Sequence, residues 1–328
     1  MHSDFVSHFK KGKIYQRLSD KYVSPRGFLP WNTTALLLAA VGDIKLVTKM
    51  YYSVSNYAEI GPLIDCLYAV NTAAALDAPA VYIDRNLAEA ILHTDVNAME
   101  RPNTVLPAFY ICLPRGLLYD DDNLEICSLV VAENAAFLTC ASTWSASISK
   151  EQADKVWNYA KDHNQLHDLR IFAINTDGAV ISAPTSWDKN TLVDDAYVEN
   201  TNYDPIHYDK QKRQSFIQTL SKIMRLVKNV VLIYNYQKHL VQNVQVTVGK
   251  GFYKRRSNKK RTPLPTQVLG RDFLVQKTQA QSSNNRTTTH VRPHWRKGHW
   301  HTTLCGTGRK ERRLKWFQPV YVNASLDT

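Results

Sequence analysis

The residues best suited to do chemistry lie close to the end of the chain, between Thr287 and Asn323. This stretch combines guanidinium, imidazole and indole side chains at close spacing. Arginine binds phosphate through a planar pair of donors, histidine titrates near neutral pH, and aromatic rings stack on unpaired bases. The side chains that we predict to contact nucleic acid are Arg292, His294, Arg296, Lys297, His299, Trp300, His301, Arg309, Arg312, Arg313 and Lys315.

If residues 292–301 form a single β-strand, their side chains alternate between two faces. One face then carries Arg292, His294, Arg296, Gly298 and Trp300. The other face carries Pro293, Trp295, Lys297, His299 and His301. The first face would suit phosphate groups, and the turn Gly306–Gly308 can direct backbone N–H groups towards a phosphate, although such a short glycine pattern is weak evidence. The alternative interpretation makes Trp295, Trp300 and Trp316 core aromatics that cations merely flank.

The histidines of this stretch also raise the question of a metal site. The imidazoles of His294, His299 and His301 would suffice for a zinc site with one open position. The neighbouring arginines and lysine would repel a dication, and no Asp or Glu lies between Asp272 and Glu311. We therefore predict no metal and no other cofactor.

Acid–base cleavage of RNA is the alternative function. A metal-free ribonuclease needs two imidazoles and a cation near the charge that develops on the phosphorus. His294 and His299, together with Arg292 or Arg296, supply those residue types. The sequence does not give their geometry, so it leaves open whether the protein is an enzyme.

The charge of the chain is unevenly distributed. The 328 residues carry a net charge of +12, but the segment from Lys250 to the end has 8 Lys, 10 Arg and 3 acids. That segment therefore carries +15, which leaves −3 for the first 249 residues. Such asymmetry favours a polyanionic partner, most often nucleic acid, over a basic face that serves only solubility.

Several function classes are disfavoured by the composition. No apolar run is long enough to cross a membrane, and the N-terminus lacks the apolar stretch of a signal peptide. The five cysteines are widely spaced and contain no CxxC pair. These features favour reduced thiols and a cytoplasmic protein with no membrane partner.

The hydrophobic patterning predicts an α+β fold, with a mixed helical and antiparallel-sheet body and a basic, β-rich C-terminal module. Helices are predicted at residues 4–18, 34–54, 60–76, 85–93, 147–163 and 209–240. Short apolar runs between residues 107 and 142 predict strands and hairpins, with Asp120–Asp122 as a polar turn rather than a metal site. A further hairpin is predicted around Asp177–Gly178.

The long helix at residues 209–240 has an apolar stripe that we interpret as a core face. The stripe consists of Phe216, Leu220, Ile223, Leu226 and Val227. An alternative use of the helix is a polyanion groove formed by its basic residues, which are Lys212, Arg213, Lys222, Arg225 and Lys228.

Composition divides the chain into three consecutive segments. Residues 1–248 form the mixed body. Residues 249–286 are basic, polar and of low complexity, which is typical of a flexible linker. Residues 287–328 form the basic Trp/His-rich module.

The C-terminal pattern closely resembles that of a type V-A anti-CRISPR family. The resemblance rests on Arg292–His301, Gly306–Gly308, Gln318–Pro319 and Val322–Asn323. Weaker counterparts occur upstream in similar order. Members of that family lower the level of the CRISPR effector nuclease by acting on its message during translation, and phages and plasmids carry their relatives. The resemblance implies a protein of a mobile genetic element that recognises a nascent protein segment, with a CRISPR nuclease as the implied target, and contacts RNA or ribonucleoprotein.

Overall fold

The computed structural model describes residues 78–97, 99–102, 105–144, 150–176, 180–188, 210–244, 266–278 and 292–322, together with a few residues between 65 and 76. The helices predicted at residues 4–18 and 34–54 lie outside the described residues. Of the helix predicted at residues 60–76, only isolated positions are described, and most of these are helical. The fold is α+β, as predicted.

The elements are numbered here in chain order. They are β1 (Ala80–Ile83), α1 (Arg85–Leu92), β2 (Thr94–Asp95), β3 (Ala108–Cys112), β4 (Ile126–Glu133), α2 (Asn134–Trp144), α3 (Lys150–Asp162), β5 (Leu169–Asn175), β6 (Val180–Ser182), α4 (Lys210–Tyr236), β7 (Val241–Val244), β8 (Thr266–Leu269), β9 (Gln276–Thr278), β10 (His294–Arg296), β11 (Gly298–Cys305), β12 (Glu311–Phe317) and β13 (Val320–Val322). Short 3-10 helices occupy Lys238–Leu240 and Thr307–Arg309.

Two compact units are interleaved along the chain. The first comprises Met1–Tyr82, Leu106–Ser186 and Val241–Leu269, and the second comprises Ile83–Val105, Trp187–Leu240 and Gly270–Thr328. This grouping differs from the three consecutive segments expected from composition, since the C-terminal strands share a unit with α1 and α4. Parts of the expected linker form β8 and β9, whereas residues 245–265 and 279–291 lie outside the described residues.

A seven-stranded sheet forms the centre of the first unit, in the order β6-β5-β4-β3-β1-β8-β7. Strands β3, β4, β5 and β6 each run antiparallel to the next one, and β1 runs parallel to β3. The inner strands β3, β4 and β5 are buried along nearly their whole length, which matches their continuous apolar sequences. The predicted strand near residue 109 and the hairpin that β5 and β6 form are confirmed, although residues 177–179 of its turn lie outside the described residues.

The loop at Asp120–Asp122 is a polar turn, as predicted. The Asp120 carboxylate accepts hydrogen bonds from the N–H groups of Asp122 and Leu124, at 3.1 and 2.7 Å, and from Asn175 Nδ2 at 2.6 Å. The side chain thus closes the turn locally in the way that is typical of aspartate.

Residues 134–144 correct one prediction, because they form helix α2 rather than a strand or hairpin. Ala135, Ala136 and Ala141 lie in this segment, and alanine has the highest helix propensity. The helix packs against β4 and β5, and Phe137 is buried at this contact. Helix α3 confirms the surface helix predicted from Ser147, whose first residues lie outside the described part.

Helices α1 and α4 pack together in the second unit. Asp84 caps α1 by accepting a hydrogen bond from the Asn86 N–H at 2.9 Å, and the helix ends at His93, as predicted. The predicted core stripe of α4 is confirmed, since all five of its residues are buried. Lys228 is also fully buried, with its Nζ 5.8 Å from the ring centroid of Trp187, so it cannot line an exposed polyanion groove.

Two three-stranded sheets complete the second unit, with the orders β10-β13-β9 and β12-β11-β2. Strand β11 runs antiparallel to β12 and parallel to β2, while β13 runs antiparallel to β10 and parallel to β9. Within the part of the chain that the structure describes, no helix is long and apolar enough to cross a membrane.

Candidate nucleic-acid interface

The hairpin β11–β12 has two chemically different faces. Directly opposite residues of an antiparallel pair point to the same side, and the register places Trp300 opposite Trp316 and His301 opposite Lys315. On the inner face, Trp300 and Trp316 are only 8% and 5% exposed. On the outer face, His299, His301, Lys315 and Phe317 are all exposed.

The inner face is fixed to α4 and β2 by paired polar groups. The Trp300 indole N–H donates to Asn229 Oδ1 at 2.7 Å, and Asn229 Nδ2 donates to the carbonyls of Thr94 and Arg225 at 3.1 and 3.0 Å. The Trp316 indole N–H donates to Thr94 Oγ1 at 3.3 Å. Buried indoles need such partners, so the hairpin is held in one position by hydrogen bonds as well as by apolar contact.

The outer face holds a cluster of rings and cations, which we call the outer-face cluster and define as His299, His301, Lys315 and Phe317. The His299 and Phe317 rings stack with centroids 5.0 Å apart and an interplanar angle of 10°. His301 meets the same phenyl ring at its edge, at 6.3 Å, and Lys315 Nζ lies 5.5 Å from its centroid. Phe317 remains 39% exposed, so its ring is surrounded but not covered.

The turn of the hairpin is strongly basic. Its exposed cations are Arg309, Lys310, Arg312 and Arg313. Glu311 is the one carboxylate between Gly298 and Phe317, and it lies 2.9 Å from Arg313 Nη2. Gly306 and Gly308 have φ angles of 77° and 72°, which only glycine adopts without strain.

The predicted single strand at residues 292–301 is wrong, because the chain divides into β10 and β11, which belong to different sheets. The two strands have different partners, since β10 pairs with β13 and β11 pairs with β12, and the chain makes a close approach at Gly298 where β11 begins. A β-carbon there would lie 2.7 Å from Pro319 Cδ and 2.8 Å from the carbonyl oxygen of Phe317. Lys297 joins the two strands, so the expected alternation does not continue from Arg296 to Trp300.

Strand β10 keeps its basic residues exposed and turns its tryptophan inwards. Trp295 lies opposite Tyr321 of β13, with ring centroids 5.3 Å apart, and stacks on the His93 ring at 4.6 Å. Arg292 and His294 are exposed, as is Arg296, and His294 Nδ1 lies 2.9 Å from the Arg292 carbonyl oxygen.

Charged groups tie the segment between β10 and β11 to β2 and α4. Lys297 Nζ lies 3.0 Å from Asp95 Oδ2, and Arg225 Nη2 lies 3.4 Å from Asp95 Oδ1. Arg225 also donates to the Leu92 carbonyl at 3.0 Å. Asp95 therefore pairs with two cations next to the start of β11. Through this ion pair, Lys297 attaches the segment between β10 and β11 to β2.

His93 titrates in an unfavourable environment for its charged form. Burial lowers its pKa below the ordinary value, and Arg225 lowers it further. Glu89 acts in the opposite direction, whereas Lys297 and Lys222 add to the lowering. The imidazole that stacks on Trp295 is thus held in its neutral form more strongly than a free histidine.

The eleven predicted contact residues are distributed over β10 and its flanking residues, the strands β11 and β12, and the hairpin turn. Ten of them are exposed, and Trp300 is buried, where it supports the hairpin from its inner face. The sequence prediction missed Lys310 and Phe317. The signal for Phe317 is strand alternation, because a ring next to the buried Trp316 must face the opposite side together with Lys315.

The three histidines considered as zinc ligands do not form a cluster that could hold a metal ion. His294 lies on β10, and His299 and His301 lie on β11, in another sheet. In the described ranges, no group of three or more His, Cys, Asp or Glu side chains has an arrangement that could hold a metal ion.

Residues 82–324 match the model of a family described as AcrVA2-like, the anti-CRISPR type V subtype A2 family. The match includes α1, α4, both small sheets and the whole of the hairpin β11–β12. No curated protein and no solved structure matches the chain. The chain belongs to the AcrVA2-like anti-CRISPR family.

Proposed function

We propose that this anti-CRISPR family member acts in the host cytoplasm to lower expression of a CRISPR target by contacting RNA or ribonucleoprotein through the hairpin β11–β12. Another part of the chain recognises a segment of the target protein, with a type V effector nuclease as the partner that the family suggests. The observation that carries the RNA contact is the exposed outer face, where cations and stacked rings lie side by side.

Charge supports an anionic partner at this hairpin. Five cations are exposed between residues 309 and 315, and Glu311 offsets one of them. Exposed ion pairs contribute little, so Arg313 can exchange Glu311 for a phosphate at small cost. Phosphate contacts of this kind supply affinity without base specificity.

The rings support nucleic acid over an acidic protein. Imidazole and phenyl faces at a cationic surface offer stacking planes to bases, which an acidic peptide would not use. A basic strand pair with an exposed aromatic is also a common way to bind single strands.

The ribonuclease alternative receives less support from the geometry. Its two predicted imidazoles lie on β10 and β11, in different sheets, and His299 lies flat against Phe317. We therefore favour binding over cleavage, and the same experiment distinguishes them.

The test is fluorescence anisotropy with the full chain and a labelled 20-nucleotide single-stranded RNA, between 50 and 200 mM salt in EDTA. If the protein contacts about six phosphates, the logarithm of the binding constant falls with the logarithm of the salt concentration at a slope of about −4. The double variant Arg312→Ala/Arg313→Ala should reduce the magnitude of that slope by about 1.4, since each lost phosphate contact removes about 0.7.

The matched control removes the same charge elsewhere. Lys155 and Lys161 are exposed on α3 in the first unit, so Lys155→Ala/Lys161→Ala should leave the slope unchanged. No RNA binding by the parent protein, or equal slopes for both double variants, would contradict the proposal. Cleavage of the RNA in EDTA that His294→Ala or His299→Ala abolishes would support the ribonuclease instead.

A further inference from the structure

We infer that the outer-face cluster is a subsite for one unpaired nucleotide of RNA, whose base extends the His299–Phe317 stack while a flanking phosphate pairs with Lys315 and His301. This inference rests on the proposed function, because it specifies how the hairpin would hold its RNA. It adds a base-binding element to a surface that would otherwise provide charge alone.

The placement of the two neighbouring aromatics on β12 is the first argument. Trp316 is buried, with its N–H bonded to Thr94, and it stacks on Trp300 and Phe273 at 5.9 and 5.6 Å. Phe317 faces the other way and leaves 39% of its surface exposed. The core therefore does not require a phenyl ring at position 317, and a smaller apolar side chain would suffice for the strand.

The arrangement of the rings is the second argument. His299 and Phe317 are directly opposite in the register, and their rings are within 10° of parallel. Two parallel planar rings on an exposed face can accept a third flat group by offset stacking at the favourable spacing for aromatic pairs. A nucleobase has such a face only when it is unpaired and unstacked.

The position of the charges is the third argument. The next opposite pair on the same face of the hairpin is His301 and Lys315, so an imidazole and an amine lie beside the stack. Lys315 Nζ is 5.5 Å from the phenyl centroid, which places the cation close to any nucleotide that stacks there. The carboxylate of Glu311 is at the other end of β12 and pairs with Arg313.

The experiment uses the full chain and a ten-nucleotide uridine-rich RNA that carries one central 2-aminopurine, whose fluorescence falls on stacking. The parent protein should quench this fluorescence on binding. Phe317→Leu should weaken affinity by about 5- to 150-fold, because stacking on an aromatic contributes about 1–3 kcal/mol per base. The salt slope should stay the same, since the phenyl ring carries no charge.

Two further variants separate stacking from folding and from loss of apolar surface. Phe317→Tyr keeps the ring and should bind within about twofold of the parent. Val156 is 51% exposed on α3 in the first unit, so Val156→Ala should leave affinity unchanged. A duplex of the same sequence should be insensitive to Phe317→Leu, because its base faces are hidden.

The outcomes distinguish the subsite from the broader proposal. If Phe317→Leu binds the single strand as the parent does while Arg312→Ala/Arg313→Ala still reduces the salt slope, the subsite is refuted and the RNA contact stands. If the parent binds no RNA, both fail. Displacement of the RNA by an acidic peptide whose affinity depends on Phe317 would also overturn the subsite in favour of a protein ligand.

Discussion

Asn229 is the side chain on which the inner face of the hairpin depends. It is fully buried, accepts the indole N–H of Trp300 and donates to backbone carbonyls of α4 and β2. Asn229→Ala would leave the buried indole N–H of Trp300 without this partner and would remove a hydrogen bond from each carbonyl, and an unsatisfied buried group costs about 1–3 kcal/mol. We expect the free energy of unfolding to fall by about 3 kcal/mol, measured by urea unfolding followed through tryptophan fluorescence.

Asn235, on the same helix, provides the matched control. Its Nδ2 donates to the Val231 carbonyl at 2.8 Å within α4, and the side chain is half-buried. Asn235→Ala should therefore cost less than about 1 kcal/mol. Equal losses for the two asparagine variants would show that the hydrogen bond to Trp300 has no special importance.

Gly298 is the second residue whose identity the structure explains. A methyl group there would overlap Pro319 and the Phe317 carbonyl, so the start of β11 and the end of β12 would have to separate. Gly298→Ala should lower stability by about 1–3 kcal/mol, as overpacking of a closely packed site does. Because Phe317 would move, RNA affinity should fall as well.

Thr302, exposed on β11, is the control for this substitution. Thr302→Ala alters the same strand without adding volume at a close contact, and it should change stability by less than about 0.5 kcal/mol. Thermal melting of both variants checks the comparison. A melting temperature of Gly298→Ala equal to that of the parent would contradict the close approach.

At the scale of elements, the contact between the end of α1 and β10 should depend on pH. The pKa of His93 is lowered in the folded protein by burial and by Arg225, so the unfolded chain binds this proton more readily. Stability should therefore fall as the pH drops below about 6.5 towards the folded-state pKa. Melting temperatures between pH 7.5 and 5.5 measure the effect.

His93→Phe separates titration from ring stacking. The variant keeps an aromatic ring against Trp295 and removes the titrating group, so its melting temperature should vary less with pH than that of the parent. Above about pH 7 the two proteins should behave alike. The explanation fails if both proteins lose stability equally on acidification.

The helices α1, α3 and α4 could be predicted from sequence because each has a local signal, either a cap or an apolar stripe. The division between β10 and β11 could not be predicted in this way. It depends on the pairing of β10 with β13 and of β11 with β12, and no local pattern in residues 292–301 indicates these partners. Helix α2 was missed because its apolar sequence lacks the period that distinguishes a helix from a buried strand.

At the scale of the whole molecule, the residue types of the candidate site were predictable but their roles were not. The charge asymmetry and the Trp/His-rich stretch are both visible in the sequence, and together they indicate an anionic partner. Trp300 faces the core, where it forms a hydrogen bond with Asn229 of α4. No local sequence pattern predicts that hydrogen bond. For the same reason Phe317 emerges as the exposed ring only from the strand register.

The residues that support the hairpin come from separate segments of the chain that belong to the second unit. The family match extends from residue 82 to residue 324, so it includes every segment of the second unit that supports the hairpin. We expect substitutions at the supporting residues to weaken RNA binding through stability, and substitutions on the outer face to weaken it with the fold intact. Circular dichroism of each variant distinguishes the two classes.

On the function proposed above, contact between the hairpin β11–β12 and RNA lowers expression of the target. The most direct measurement is the level of effector-nuclease message in cells that produce a type V effector together with the parent protein, Arg312→Ala/Arg313→Ala or Lys155→Ala/Lys161→Ala at equal abundance. The parent and the α3 control should lower the message, and the hairpin variant should restore it towards the level in cells without the protein. An equal reduction of the message by the hairpin variant would contradict the account.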